Sequence, residues 1–113
     1  MLKILIPLLN ELSNIDFLIK QIKQSVNINH KIYFCDDGSS DGSWEEIIKQ
    51  KSLYPHGYIN AFKLSRNFGK DNAILCLLEN IDNNNDDYGV IIDSDLQHPV
   101  EEIDNIYKQI TEN

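Results

Sequence analysis

Four short apolar runs alternate along this chain with four stretches whose apolar residues recur at helical spacing, and few architectures accommodate that order. Residues 3–9 (Lys3-Ile4-Leu5-Ile6-Pro7-Leu8-Leu9) read as a first buried strand, with Pro7 near its end, where a missing amide donor is tolerable. Leu12, Ile15, Leu18, Ile19, Ile22 and Val26 then form one helical stripe, and Ser13 with Asp16 makes a capping-box-like start. The alternation repeats with a strand over 31–36 and a helix over 43–52 that turns Trp44, Ile47 and Ile48 inward. A strand over 58–64 precedes a helix carrying Ala73, Ile74, Leu77, Leu78 and Ile81. The stretch 82–87, rich in Asn and Asp, reads as an exposed loop rather than a linker. A fourth strand over 88–92 leads to a final helix opened by Pro99 and bearing Ile103, Ile106, Tyr107 and Ile110. Four βα units in a row predict an α/β, Rossmann-like fold: a parallel sheet with helices on both faces, as one domain over 1–113.

Charge and composition narrow the function. Eighteen acidic against ten basic residues give a net charge of −8, which excludes a nucleic-acid phosphate track and predicts no nucleic-acid partner. Arg66 is the only arginine, so a phosphate clamp must rely on lysine, backbone amides or a metal. Cys35 and Cys76 are not spaced as a metal pair, and their apolar neighbours predict buried, reduced thiols of a cytoplasmic protein. No apolar run approaches a membrane span and no signal peptide opens the chain, so any membrane anchor is expected outside this segment.

Two acidic clusters stand where buried strands end: Cys-Asp-Asp-Gly-Ser-Ser-Asp-Gly at 35–42 and Asp-Ser-Asp-Leu-Gln-His-Pro at 93–99. In open α/β sheets, ligands bind at the carboxyl ends of strands, so both clusters are expected on one crevice. Asp93 and Asp95, two apart in extended chain, can present oxygens to one ion, and Gln97 adds a neutral oxygen. Hard oxygen donors suit Mg²⁺ or Mn²⁺, which take the rest of their shell from water and phosphate. In the first cluster, Asp36 and Asp37 need hydrogen-bond partners at a strand end, and a ribose hydroxyl or a base N–H would serve. Gly38 and Gly42 permit tight turns, while Ser39, Ser40 and Asp41 read as turn and cap residues. Ser65-Arg66-Asn67-Phe68-Gly69-Lys70 reads equally as a phosphate-binding loop or a plain solvated one. His30, His56 and His98 have no partners for nucleophilic catalysis, so no catalytic residue is named.

Taken in order, these motifs resemble family 2 glycosyltransferases of the GT-A fold, above all the branch that moves a sugar from a nucleotide onto a polyprenyl or dolichyl phosphate. The matching stretches are Ile6-Pro7-Leu8-Leu9-Asn10-Glu11, Asp36 to Gly42, Leu64 to Lys70 and Asp93 to Pro99. The resemblance implies that Asp93, Asp95 and Gln97 hold Mg²⁺ or Mn²⁺ and the donor diphosphate, and that Asp37 binds the base or ribose. It also implies that Pro7, Leu9 and Glu11 line the nucleotide pocket, with Asp36 and Ser94 in the same nucleotide-sugar site. Leu9 stands where the family commonly has an aromatic residue, so a UDP-linked and a GDP-linked donor stay open. The acceptor implied is a lipid phosphate or a glycan, at the inner face of the membrane, in cell envelope polysaccharide synthesis.

Family catalytic domains are about twice this length, and the chain looks like their N-terminal, donor-binding half. The expectation is therefore donor binding without full activity, and oligomer formation through the open edge of the fourth strand. A nucleotide- and metal-binding module without catalysis is the alternative. A receiver-type phosphoacceptor domain would want its acid pair after the first strand and a lone Asp after the third, whereas here acids follow the second and fourth.

Overall fold

The computed structural model describes residues 1–81, 87–95 and 100–111, except for the side chain of Glu101. Its elements are β1 (Leu2–Leu8), α1 (Leu12–Ser25), β2 (His30–Asp36), α2 (Ser43–Leu53), β3 (Ile59–Lys63), α3 (Lys70–Asn80) and β4 (Tyr88–Ile91). A short 3₁₀ turn, Val100–Glu102, then runs into α4 (Ile103–Thr111). The parallel sheet has the order β3-β2-β1-β4. That order places β1 beside both β2 and β4, and the chain reverses its direction of travel across the sheet between them. The receiver-type fold instead runs 2-1-3-4-5, so the strand order rules that reading out.

A nearly continuous apolar run explains why β1 sits centrally. All seven of its residues are buried, and its two faces feed two cores. Leu2, Ile4, Ile6 and Leu8 pack with Ile32, Phe34, Ile47, Ile59, the α1 stripe and Ile103. Leu5 joins Tyr33, Cys35, Ala73 and Leu77 under α3 on the other side. Each fully buried side chain of this size contributes about 1.5–3 kcal/mol. Pro7 is tolerated in a central strand because β4 pairs β1 only from Leu2 to Leu5, so no ladder partner on that side needs its missing amide.

Several expectations change. Helix α1 starts at Leu12, and Glu11, not Ser13, is its N-cap. The Leu12 amide donates to Asp41 Oδ2 at 3.1 Å and the Glu11 amide to Ser43 Oγ at 3.0 Å. A tertiary cap therefore replaces the local one. Ile48 is exposed rather than inward. Gln50 takes the inside place, donating to Asp16 at 3.0 Å and Glu46 at 2.7 Å. Leu12, Leu78, Ile106 and Ile110, members of the other stripes, are likewise exposed. The loop expected over 82–87 (bar Asp87), and Pro99, lie outside the described residues. Cys35 and Cys76 are both unpaired thiols. Burial, and after it the neighbouring Cys76, pushes the Cys35 thiol up to about 12. Among the described residues no helix is long and apolar enough to cross a membrane.

Candidate functional site

All four strands deliver their carboxyl ends to one cavity of about 410 Å³, within the range of small-molecule sites. Strand β1 contributes Pro7, Leu8 and Leu9, with Glu11 just beyond. Asp37 comes from just past β2, Asn67 and Gly69 from the β3–α3 turn, Lys70 from the start of α3, and Asp93, Ser94 and Asp95 from the turn that follows β4. Ala73, on the first turn of α3, forms part of the floor and leaves room because its side chain is one methyl. The cavity lies at the point between β1 and β4 where the strand order reverses, the place where such sheets bind ligands.

The loops are held by the acids of the 36–41 cluster. Asp37 is 4% exposed and lies on the cavity wall. Its Oδ1 accepts from the Phe68 amide at 2.8 Å, and its Oδ2 from the Gly69 amide at 3.1 Å. Asp36 is fully buried and is not among the residues lining the cavity. Its Oδ1 accepts from the amide and the hydroxyl of Ser39, and Ser39 Oγ accepts from the Asn10 amide at 2.8 Å. Asn10 Oδ1 in turn accepts from the Ser40 amide at 2.9 Å, with Asn10 itself in the left-handed region at φ 53°. Asp36 Oδ2 is buried with no hydrogen-bond partner among the described residues.

Asp41 behaves as the turn-and-cap residue expected. Its Oδ1 accepts from the Ser43 amide at 2.9 Å and from the Ser43 hydroxyl at 2.6 Å, while Oδ2 serves Leu12. Desolvation pulls its carboxyl up, but the bonds from Ser43 and the Leu12 amide outweigh it and hold Asp41 below the usual carboxylate range. One acid thus joins the starts of α1 and α2.

At the opposite wall, Lys70 Nζ donates to Asp93 Oδ1. That hydrogen bond, aided by the fields of Asp93, Asp95 and Asp71 and opposed by desolvation, raises the Lys70 ammonium above its ordinary range. Asp93 and Asp95 offer hard oxygens that suit a divalent cation, and the ammonium on Asp93 shows that this carboxylate takes a positive partner. Gln97, the third ligand expected, lies outside the described residues. Among the described residues no three His, Cys, Asp or Glu side chains gather as a complete metal site. A cation held here would therefore draw on ligands beyond these two acids, as Mg²⁺ and Mn²⁺ do when they bind phosphates.

The structure thus brings together Pro7, Leu9, Glu11, Asp37, Asp93, Ser94 and Asp95 and sets Asp36 beneath them. Leu8 and Ala73 escaped sequence reasoning because each looks like an ordinary core residue. Lys70 and Asn67 stood in a loop that composition alone left undecided.

Known proteins resemble the chain in sequence and in fold. The model of glycosyl transferase family 2 matches residues 3–113. The chain belongs to that family. An undecaprenyl-phosphate 4-deoxy-4-formamido-L-arabinose transferase from Photorhabdus laumondii is 32% identical over 108 residues, covering 93% of this chain and 32% of its own. The transferase of the same name from Edwardsiella ictaluri is 34% identical, over 88% of this chain and 30% of its own. The mannosyltransferase PcManGT of Pyrobaculum calidifontis, solved with GDP-Man and Mn²⁺, has a TM-score of 0.84 and 18% identity, covering 97% of this chain and 32% of its own. That likeness identifies the fold as the GT-A form of the Rossmann-like sheet. The chain spans about a third of the length of these relatives.

Proposed function

We propose that this family 2 chain binds the nucleotide-sugar donor of a transferase that moves a sugar onto a polyprenyl phosphate. The observation that carries this reading is the convergence of Asp37, Asp93, Ser94 and Asp95 on one cavity at the reversal of strand order. Pro7 and Leu9 flank the base, Glu11 closes that wall, and Asp37 accepts a hydrogen bond from the base or ribose. Asp93 and Asp95, with Gln97 on the sequence pattern, would hold Mg²⁺ or Mn²⁺, which offsets the charge developing on a diphosphate leaving group. The relatives named as undecaprenyl-phosphate sugar transferases, and the neighbour solved with GDP-Man and Mn²⁺, support the acceptor class and the metal. The donor is a UDP- or GDP-linked sugar.

A polyprenyl phosphate is already an anionic nucleophile, so no general base is assigned. The residues that position it are proposed to lie outside these 113, and the chain alone holds donor without full transfer. Such a protein would act at the cytoplasmic face of the membrane that carries its lipid acceptor, in cell envelope polysaccharide synthesis.

Calorimetry tests the metal and the donor together. UDP or GDP is expected to bind on the order of tenfold more tightly with Mn²⁺ than with chelator, a difference of about 1.4 kcal/mol. Asp95→Ala should remove that enhancement. Equal affinity with and without metal in the unaltered chain would overturn the reading.

A further expectation concerns assembly. Among the described residues β4 pairs only with β1, and Tyr88 and Ile91 on it are exposed. An open apolar edge invites another strand, and a symmetric dimer closes it most simply. Light scattering at micromolar concentration should report a dimer, and a monomer would refute the edge pairing.

A further inference from the structure

Glu11, Asp37, Asp93 and Asp95 put four carboxylates on the cavity wall, and among the described lining residues Lys70 alone is cationic. Lys70 is also the first residue of α3, where the helix dipole disfavours a positive charge and acids are preferred. Its side chain is 57% exposed and reaches the end of another strand to meet Asp93, itself 27% exposed. Ion pairs this open to solvent add little to folding and exchange easily. A lysine set against a helix dipole, on a weak pair, in an acid-lined cavity runs against local preference, and such conflicts concentrate at functional positions. Arg66 does not share the task. Its guanidinium lies over the Phe68 ring, 4.5 Å from the centroid, and it is not among the lining residues.

Resting on the donor reading above, we propose that Lys70 is the anion-binding residue of the cavity, exchanging Asp93 for the phosphate oxygens of a nucleoside diphosphate. An ammonium on a flexible four-carbon stem is a common point-charge partner for phosphate. A diphosphate carries more negative charge than one carboxylate, and the pair it displaces is weak, so the exchange runs toward the ligand. The same movement lifts a competing cation off Asp93. Lys70 thereby links recognition of the phosphates to the availability of an Asp93 oxygen for a divalent ion. On this proposal the 65–70 loop takes the phosphate reading, through its last residue rather than its arginine.

The exchange predicts effects of opposite sign in one variant. Lys70→Met, Lys70→Arg and the unaltered 113-residue chain would be titrated with Mn²⁺ alone, followed by electron paramagnetic resonance. Calorimetry would then measure UDP, GDP, uridine and guanosine at saturating Mn²⁺. Lys70→Met should bind Mn²⁺ alone several-fold more tightly, because its competitor on Asp93 is gone. It should bind the diphosphate weaker by about tenfold or more, the usual scale for a lost hydrogen bond between charged groups. Nucleoside affinity should not change, and Lys70→Arg should recover most of the diphosphate affinity. A lysine that merely steadied the loop would weaken nucleoside and diphosphate alike, and that pattern would overturn the proposal. If the unaltered chain binds UDP or GDP and Lys70→Met binds it equally well, the donor reading stands and the Lys70 assignment falls. If the unaltered chain binds neither, the donor reading fails and takes this inference with it.

Discussion

Gly38→Ala is expected to destabilise the fold by about 3 kcal/mol and to lower the melting temperature by on the order of 10 °C. Gly38 has φ +81°, where a side chain is strained, but strain alone costs only about 1–2 kcal/mol. The larger part is steric. A Cβ on Gly38 would lie 2.4 Å from the Arg66 carbonyl carbon and 2.5 Å from the Asn67 nitrogen, both backbone atoms that cannot rotate away. The 65–69 turn would have to shift, carrying Asn67 and Gly69 of the cavity wall with it. Gly57 supplies the control, with φ +86° and nothing within 4 Å of its added Cβ. Gly57→Ala should therefore show the strain alone, roughly 1–2 kcal/mol, with no change in nucleotide affinity. Thermal melts of the two variants would decide the matter. Equal losses would mean that the close approach at Gly38 relaxes freely.

The contrast between these glycines marks the limit of what one sequence shows. Both stand in turns, and local chemistry permits left-handed backbone at each. Nothing near Gly38 in the chain announces that Arg66 will lie against it. The fold was legible where a pattern is local and repeated: the β1 run, the α1 stripe of Ile15, Leu18, Ile19 and Ile22, and the βα alternation that implied a parallel sheet. Helix starts were less so. Ser13 and Asp16 satisfied a local capping rule, yet Asp41 from the β2–α2 loop and Ser43 at the start of α2 met the amides instead. Ile48 followed the helical stripe but stayed outside, since Gln50 could bury its amide between two acids.

The candidate site divides in the same way. Asp93 and Asp95 were readable because strand-end position and two-residue spacing are local facts. Asp36 and Asp37 were readable as acids in need of partners, but adjacent residues on a strand point to opposite faces. One consequently faces the cavity, while the other is buried on Ser39. Lys70 and Ala73 became part of the site only through the packing of α3 over β1, a tertiary contact that no spacing rule contains.

Asp37→Ala is expected to cost the fold about 2–3 kcal/mol and to weaken nucleoside binding as well, while Asp37→Asn separates the two effects. The carboxylate is nearly buried and holds the amides of Phe68 and Gly69, so alanine leaves two donors short of an acceptor at the start of α3. Asn67 Oδ1, 3.0 Å from the Gly69 nitrogen, softens that loss for one of them. Asparagine keeps one oxygen for the Phe68 amide but turns an N–H₂ group where the second oxygen stood. The turn should then survive with a loss of about 1 kcal/mol. Nucleoside affinity should still fall on the order of tenfold, because a base N–H or ribose hydroxyl would meet a donor and a neutral group in place of a carboxylate. Chemical denaturation and calorimetry with uridine and guanosine give the two numbers for each variant. Should Asp37→Asn bind nucleoside as the unaltered chain does, Asp37 is a brace for the 65–69 turn and the nucleoside contact belongs to another residue of the wall.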